Sequence, residues 1–489
     1  MLMTTEFPKG FVWGASTSAF QIEGAIDEQG RGPSIWDTFT RQPGAVYHGD
    51  TADVACDHFH RLDSDLDLIA ELGLQAYRFS IAWPRIQPEG DGTNESGLDF
   101  YERLVEGLLK RGITPIATLY HWDLPQALED RGGWSNRATT DRFADYVSAV
   151  VGRLGDRVER WVTINEPWVV AFVGHMEGRH APGVRDEATA VKVAHHTLLA
   201  HARAMEIIRA MAPRAKAGIT LNLSDVLPAS DRPVDAAAAR HVDLFENRVF
   251  LGPLFRGGYP EDAYEFWSGV TDFGFLRDGD LAAISRPMDF LGVNFYEQHR
   301  VIHDPTHMNG PSNLVRGARK LPPEPPVSAG EVAIRPEALY SVLTHLHREW
   351  TNDLPLWITE SGIALHDYVG PDGRCHDPER IGYYDGYFRA AARAIDEGVP
   401  LEGYIVWSLM DNFEWAAGYR LRFGIVYVDY ETQKRLPKSS AMWFRQVIRA
   451  NAVPALPATA GDAGTTWTLG SSAPRQSTSE RVSRHSQLR

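Results

Sequence analysis

The chain has 489 residues, 43% hydrophobic and 11% aromatic, which is enough apolar surface for a large core. A formal charge of −15 excludes nucleic acid and anionic membrane as main partners, because both would be repelled. The only cysteines, Cys56 and Cys375, leave no disulfide framework, so a reducing, cytoplasmic setting is expected.

From the N-terminus, Met1 to Lys9 lacks a basic stretch followed by an apolar one, so no secretory signal is expected. No apolar run approaches the roughly 18 residues of a membrane span. Strand-like runs rich in β-branched and aromatic residues then recur at Phe11–Ala15, Ala76–Ile81, Pro115–Tyr120, Trp161–Asn165, Ala217–Leu221, Phe290–Phe295, Leu356–Thr359 and Tyr404–Ser408. Helical spacing separates them. Phe59, Leu62, Leu66, Ile69 and Leu72 line one face and stop at Gly73; Leu98, Tyr101, Val105 and Leu108 stop at Gly112; Phe143, Val147, Val150 and Leu154 stop at Gly155.

This alternation predicts the α/β class: a single (β/α)8 TIM barrel with long βα loops rather than an open sheet. The catalytic barrel is expected over residues 1–451. Long connections are predicted at Thr40–Asp53, Gly252–Asp280 and the proline-rich His303–Arg335. The 452–489 tail, rich in Ala, Thr, Ser, Gly and Pro, is expected to be disordered.

Polar and aromatic residues gather where barrel strands end. Gln21 follows the first strand and Arg78 lies within the second. His121 and Trp122 close the third, Asn165 and Glu166 the fourth, and Asn222 the fifth. Asn294 and Tyr296 belong to the sixth, Glu360 to the seventh and Trp407 to the eighth, with Glu414 and Trp415 just beyond. The C-terminal face of a barrel is where catalytic groups sit. Amides, an imidazole and carboxylates bond pairs of hydroxyls, and indoles cover the apolar face of a sugar ring. Two glutamates on separate strands are the minimum for cleaving a glycosidic bond.

Six stretches, in order, carry a resemblance: residues 7–24 (FPKGFVWGASTSAFQIEG), 77–85 (YRFSIAWPR), 119–125 (LYHWDLP), 163–167 (TINEP), 358–362 (ITESG) and 407–415 (WSLMDNFEW). Together they are similar to family 1 glycoside hydrolases, the β-glucosidase family, over roughly Phe7 to Ile448. The resemblance implies a retaining mechanism without cofactor or metal, with Glu360 as nucleophile and Glu166 as general acid, then base. It implies that Arg78, Asn294 and Tyr296 support the nucleophile. Gln21, His121, Trp122, Asn165, Trp407, Glu414 and Trp415 would bind the terminal sugar, and Trp168, His180 and Asn222 would lie on the leaving-group side. Glu414, bonding the 4- and 6-hydroxyls, would repel a 6-phosphate. An intact Glu166 argues against the thioglycoside-cleaving branch, which carries glutamine there. One departure is Ser361, where the family usually has asparagine.

The expected partners are small-molecule β-glycosides and short oligosaccharides, with homo-oligomeric assembly left open. β-Galactosidase or β-fucosidase activity and a non-catalytic sugar-binding barrel are the alternatives. Trp83, Trp134 and Trp161 are read as packing residues. His195, His196 and His201 are read as lacking acidic partners for a metal, and Asp63, Asp65 and Asp67 as a solvated helix face.

Overall fold

The computed structural model describes residues 3–306, 314–315 and 317–455. Eight parallel strands close into one barrel: β1 (Val12–Ser16), β2 (Ala76–Ser80), β3 (Thr114–Thr118), β4 (Arg160–Asn165), β5 (Lys216–Asn222), β6 (Phe290–Asn294), β7 (Leu356–Glu360) and β8 (Leu401–Trp407). Every expected strand is present, displaced by at most three residues at an end. The helix predicted from Phe59 spans His58–Leu72 and ends at Gly73, whose φ of 75° is the left-handed conformation glycine adopts without a Cβ penalty. The helix before Gly155 ends differently, since that glycine stays right-handed at φ −68°.

Period-two alternation builds the barrel interior in layers. Ala76, Ile116, Val162, Phe290, Trp357 and Ile405 form a separate apolar plug at the N-terminal end, against which Val12 packs. The Arg160 guanidinium closes it, 4.0 Å from the Trp357 ring centroid. Two residues further along the same strands the inward groups become polar: Arg78 after Ala76, Thr118 after Ile116, Thr359 after Trp357. Arg78 Nε donates to Thr118 Oγ1 at 3.1 Å, and Thr359 Oγ1 donates to Asn294 Oδ1 at 2.8 Å. These three strands therefore run from an apolar floor to a polar upper layer. The larger core lies outside the barrel, between strands and helices, and takes in Trp13, Trp83, Trp134 and Trp161 as packing residues.

Several connections hold more structure than their composition suggested. Gly252–Asp280 contains the end of a helix, Val249–Arg256, and a second helix, Glu261–Trp267. Asp225–Pro228, Gln298–His303, Ala318–Lys320 and Leu314–Val315 form a small four-stranded sheet, so the start of the proline-rich segment is paired rather than a plain loop. Asp65 is not solvated: it is buried and bonds the His58 ring and the Arg435 guanidinium. His195 likewise has an acidic partner, Asp280, 3.0 Å from its Nε2.

At the C-terminal end, Ala452–Val453 pair antiparallel with Thr5–Glu6, and Arg389 Nη2 donates to the Pro454 carbonyl at 2.8 Å. Ordered chain thus passes the expected boundary at 451. The remainder of the expected disordered tail, 456–489, lies outside the described residues. No helix among those described is long and apolar enough to cross a membrane.

Trp13 is fully buried and meets Phe7, Phe11, Phe388 and Phe444 with centroids within 6 Å. Trp13→Ala removes this hub and should cost about 3–5 kcal/mol. Urea unfolding of both proteins followed by circular dichroism measures it; a loss below 1 kcal/mol on the same order-of-magnitude scale would contradict the packing argument.

Candidate active site

Both glutamates emerge where a strand breaks register. On β4 the pairing shifts between Val162 and Asn165, and on β7 between Ile358 and Glu360. Such irregularities re-aim the side chain that follows. Glu166 N is tied to the Thr220 carbonyl at 2.9 Å, and the Glu360 carbonyl accepts from Phe295 N at 2.9 Å. Glu166 has φ 49°, Trp122 φ 80° and Trp415 φ 50°. Left-handed backbone at non-glycine residues is strained and persists where surrounding structure over-determines it. Gly362 is needed by packing: a Cβ there would stand 1.8 Å from the Trp407 carbonyl oxygen.

A continuous set of hydrogen bonds joins the two carboxyl groups. Arg78 Nη1 donates to Glu360 Oε1 at 2.5 Å, and Nη2 donates to Asn165 Oδ1 at 2.6 Å. Asn294 Nδ2 donates to that same Asn165 oxygen at 3.1 Å and to Glu166 Oε1 at 2.6 Å. The Tyr296 hydroxyl donates to Glu360 Oε2 at 3.1 Å. Glu360 therefore receives a cation and a phenol, whereas Glu166 receives one neutral amide.

The electrostatics follow from that asymmetry. Burial, and then the charge of Glu360, push Glu166 well above the ordinary carboxyl range. Burial also raises Glu360, but Arg78 and then Tyr296 oppose the rise. Glu166 is the member that holds the proton. Burial and the Glu360 charge raise Glu414 to about 8.

The surrounding residues present polar edges and aromatic faces. Asn165 Oδ1 already accepts two hydrogen bonds, so its Nδ2 faces His121 Nε2 at 3.2 Å. That network assigns the imidazole proton to Nδ1. Burial and Arg78 hold His121 well below its usual pKa, so the ring is neutral with one N–H to offer. His121 Nδ1, Trp168 Nε1, His180 Nδ1 and Asn222 Oδ1 are buried atoms without a partner in the protein. Buried polar atoms normally find partners; these four lie at expected sugar or leaving-group positions, while others, such as Trp134 Nε1, lie in the packing core. Trp407 and Trp415 each lie nearly parallel to the His121 ring, with centroids 5.9 and 6.0 Å away. Gln21 Nε2 donates to Asn412 Oδ1 at 3.0 Å and to the Phe413 carbonyl at 2.8 Å, with Glu414 Oε2 at 3.5 Å.

The structure connects Arg78, His121, Trp122, Asn165, Glu166, Asn294, Tyr296, Glu360, Trp407 and Trp415 in one network of hydrogen bonds and ring contacts, with Gln21 and Glu414 bonded to each other. Trp122 joins through Nε1, which donates to the Asn165 carbonyl at 2.9 Å. His180 joins the aromatic wall, 5.6 Å from Trp122, while Trp168 packs on Phe245 at 5.7 Å. Two participants escaped the sequence reading. Asn412, within a recognised stretch, orients Gln21. Trp36, 4.6 Å from Trp415, sits in a segment with no motif to flag it. Ser361, the departure from the family pattern, is buried and shares a 2.9 Å hydrogen bond with the Tyr383 hydroxyl, which anchors the turn after Glu360.

Tyr296→Phe removes one of the donors that favour ionised Glu360, so the Glu360 titration should move to higher pH. Arg78→Met should move it further. Carbon-13 NMR of glutamate-labelled protein reads both shifts; a downward shift in either variant would contradict the assignment.

Comparison with known proteins gives the family. The model of glycosyl hydrolase family 1 matches residues 3–453. β-Glucosidase A of Thermotoga maritima is 47% identical over 448 residues, covering 91% of this chain and 98% of its own. A bifunctional β-D-glucosidase/β-D-fucosidase of Bifidobacterium breve is 46% identical over 461 residues, covering 91% and 99%. The solved family 1 β-glucosidase of Thermotoga maritima superposes with a TM-score of 0.88 at 46% identity, over 92% of this chain and 100% of that one, and it has also been solved with isofagomine lactam. This chain belongs to glycosyl hydrolase family 1.

Proposed function

We propose that this chain is a retaining β-glucosidase that releases terminal non-reducing β-D-glucosyl residues, with Glu166 as acid and base and Glu360 as nucleophile. One observation carries the reading: the buried arginine compensates one of two linked carboxyl groups and leaves the other to hold a proton. A pair divided in this way supplies an acid and a nucleophile at the same pH.

In the first step Glu166 gives its proton to the glycosidic oxygen as a Glu360 oxygen attacks the anomeric carbon. The alcohol leaves and an ester forms. Esterification removes the negative charge of Glu360, which is the second cause of the raised Glu166 pKa. Glu166 then becomes a better base. In the second step it takes a proton from water, the water oxygen attacks the anomeric carbon, and Glu360 leaves as a carboxylate. Two inversions give net retention. Asn165, neighbouring the acid and fixed by Arg78 and Asn294, is assigned to the 2-hydroxyl, a contact that strengthens in the transition state. Gln21, His121 and Glu414 are assigned to the other hydroxyls, with Trp407 and Trp415 as the platform.

A β-fucosidase activity at the same site is the second reading, favoured by the dual activity in the name of the Bifidobacterium breve relative. We further propose that the enzyme works in the cytoplasm on short β-glucosides, including those from cellulose breakdown. Two cysteines, both free and buried, support a reducing compartment.

Glu360→Gly should abolish hydrolysis of 4-nitrophenyl β-D-glucoside, and added azide should restore turnover with an α-glycosyl azide as product. An undiminished rate in that variant would remove Glu360 from the role of nucleophile. Glu166→Ala should lose roughly 10²–10⁴-fold with a poor alkyl leaving group and far less with an activated phenol. Equal losses with both would exclude Glu166 as proton donor. The wild-type kcat/KM should decline on the alkaline side as Glu166 loses its proton, with a midpoint above the usual carboxyl range.

A further inference from the structure

Behind the loops that follow β7 and β8 lies a cage of six charged side chains outside the catalytic pair. Lys438 Nζ donates to Asp367 Oδ2 and Asp411 Oδ1, both at 2.6 Å. Arg422 Nη1 holds the other Asp411 oxygen at 2.6 Å. Arg380 bonds Asp377 at 2.5 Å and Asp367 at 2.7 Å. The Lys438, Arg380 and Asp411 side chains have zero exposure. Three cations meet three carboxylates, so the cage is electrically balanced.

Burying so many ions is a poor route to stability, because apolar packing of the same volume often does as well. What such a cage does supply is direction, since each charge must stay on its partners. The member that belongs to the 408–415 loop is Asp411, whose oxygens are bonded within the cage. Its backbone N–H donates to the Val426 carbonyl at 2.9 Å, and its Oδ1 also accepts from Gly424 N at 3.0 Å. A Cβ at Gly424 would stand 2.1 Å from Asp411 N, so the two segments are in direct contact.

The three residues that follow Asp411 all meet Gln21. Its amide has two N–H bonds, and these are directed to Asn412 and the Phe413 carbonyl, leaving Glu414 at the longer 3.5 Å. Glu414 keeps its acceptor capacity for a ligand only while Asn412 and Phe413 hold Gln21. Asn412 is also held by Ser408 Oγ, the Met410 carbonyl and the Tyr430 hydroxyl, and the residue just before it, Asp411, ties this stretch to the cage.

We propose that Lys438 and Arg422 are positioning residues which, through Asp411, fix the 408–415 loop and set discrimination at the 6-hydroxyl of the substrate. The inference rests on the β-glucosidase reading and on Glu414 as the group that meets that hydroxyl. Lys438 stands in none of the stretches that carried the family resemblance.

The test compares kcat/KM for 4-nitrophenyl β-D-glucoside and its 6-deoxy analogue in wild type, Lys438→Met, Arg422→Met and Lys438→Arg, alongside melting temperatures. In both methionine variants the preference for glucoside over 6-deoxyglucoside should fall about tenfold, the scale of one well-placed hydrogen bond. Lys438→Arg should restore most of it. A purely structural lesion lowers both constants together and leaves their ratio alone. Folded methionine variants with the wild-type ratio would overturn the inference while leaving the β-glucosidase reading intact. Wild type that cleaves neither glycoside would overturn that reading itself, and this inference with it. Should Lys438→Met fail to fold, Asp411→Asn keeps the side-chain shape and carries the same ratio test.

Discussion

The Arg78 guanidinium sits at the centre of the polar layer with no solvent exposure, and its partners decide the state of everything around it. One nitrogen faces Glu360 and the other faces the Asn165 amide, so the cation is spent on a single carboxylate. Ionising Glu360 neutralises the arginine. A second ionisation, at Glu166 or Glu414, would place net negative charge where burial already disfavours it, and the pKa of each is raised for that reason. The division of labour between two chemically identical side chains thus arises from which of them a buried guanidinium can reach.

That cation is itself a consequence of strand periodicity. Ala76 and Arg78 point to the same side of β2, and the step from one to the other crosses from the apolar plug into the polar layer. The plug supplies a rigid floor beneath Arg78. Above it the backbone departs from regular geometry at the residues that carry or flank the chemistry, with φ 49° at Glu166, 80° at Trp122 and 50° at Trp415. Regular strands place side chains on alternate faces; the register breaks and left-handed residues at the rim turn them into one space.

What the sequence made legible is what local pattern encodes. Eight β-branched runs, glycine stops and polar strand ends all lie within a few residues of one another, so the barrel and the placing of Glu166 and Glu360 could be read directly. Pairings between distant segments could not. Asp65 looks like part of an acidic, solvated face because its partner Arg435 lies 370 positions away. Trp36 carries no local mark of its contact with Trp415, and the asymmetry between the two glutamates depends on Arg78 and Asn294, which belong to other strands. The helices of 249–267 were obscured by Gly252, Pro253, Gly257 and Gly258, which read as breakers although Pro253 lies inside the helix. The ends of the barrel are closed by the same long-range logic, with Ala452–Val453 paired to Thr5–Glu6.

Buried polar atoms without a protein partner occur in the frame too, at Trp134 Nε1 and Trp267 Nε1, so they mark the reactive surface only together with position. In the frame, buried charges meet opposite charges: Arg85 with Glu23, Arg31 with Asp37, Lys438 with Asp367 and Asp411. At the rim, His121, Trp168, His180 and Asn222 keep polar atoms that no protein group satisfies. Asp123 shows why the criterion needs chemistry as well as counting. Both of its oxygens are buried without a partner, yet burial raises its pKa to about 8, so near neutral pH it is an uncharged acid. Arg31 and the carboxyl groups of Glu23 and Asp37 act on it through space, but none of them bonds its oxygens, so it shares no hydrogen-bonded link to a second carboxyl group. Glu166 and Glu360 differ from it by being linked to each other through Asn294, Asn165 and Arg78, and a pair, not a perturbed residue, is what double displacement requires.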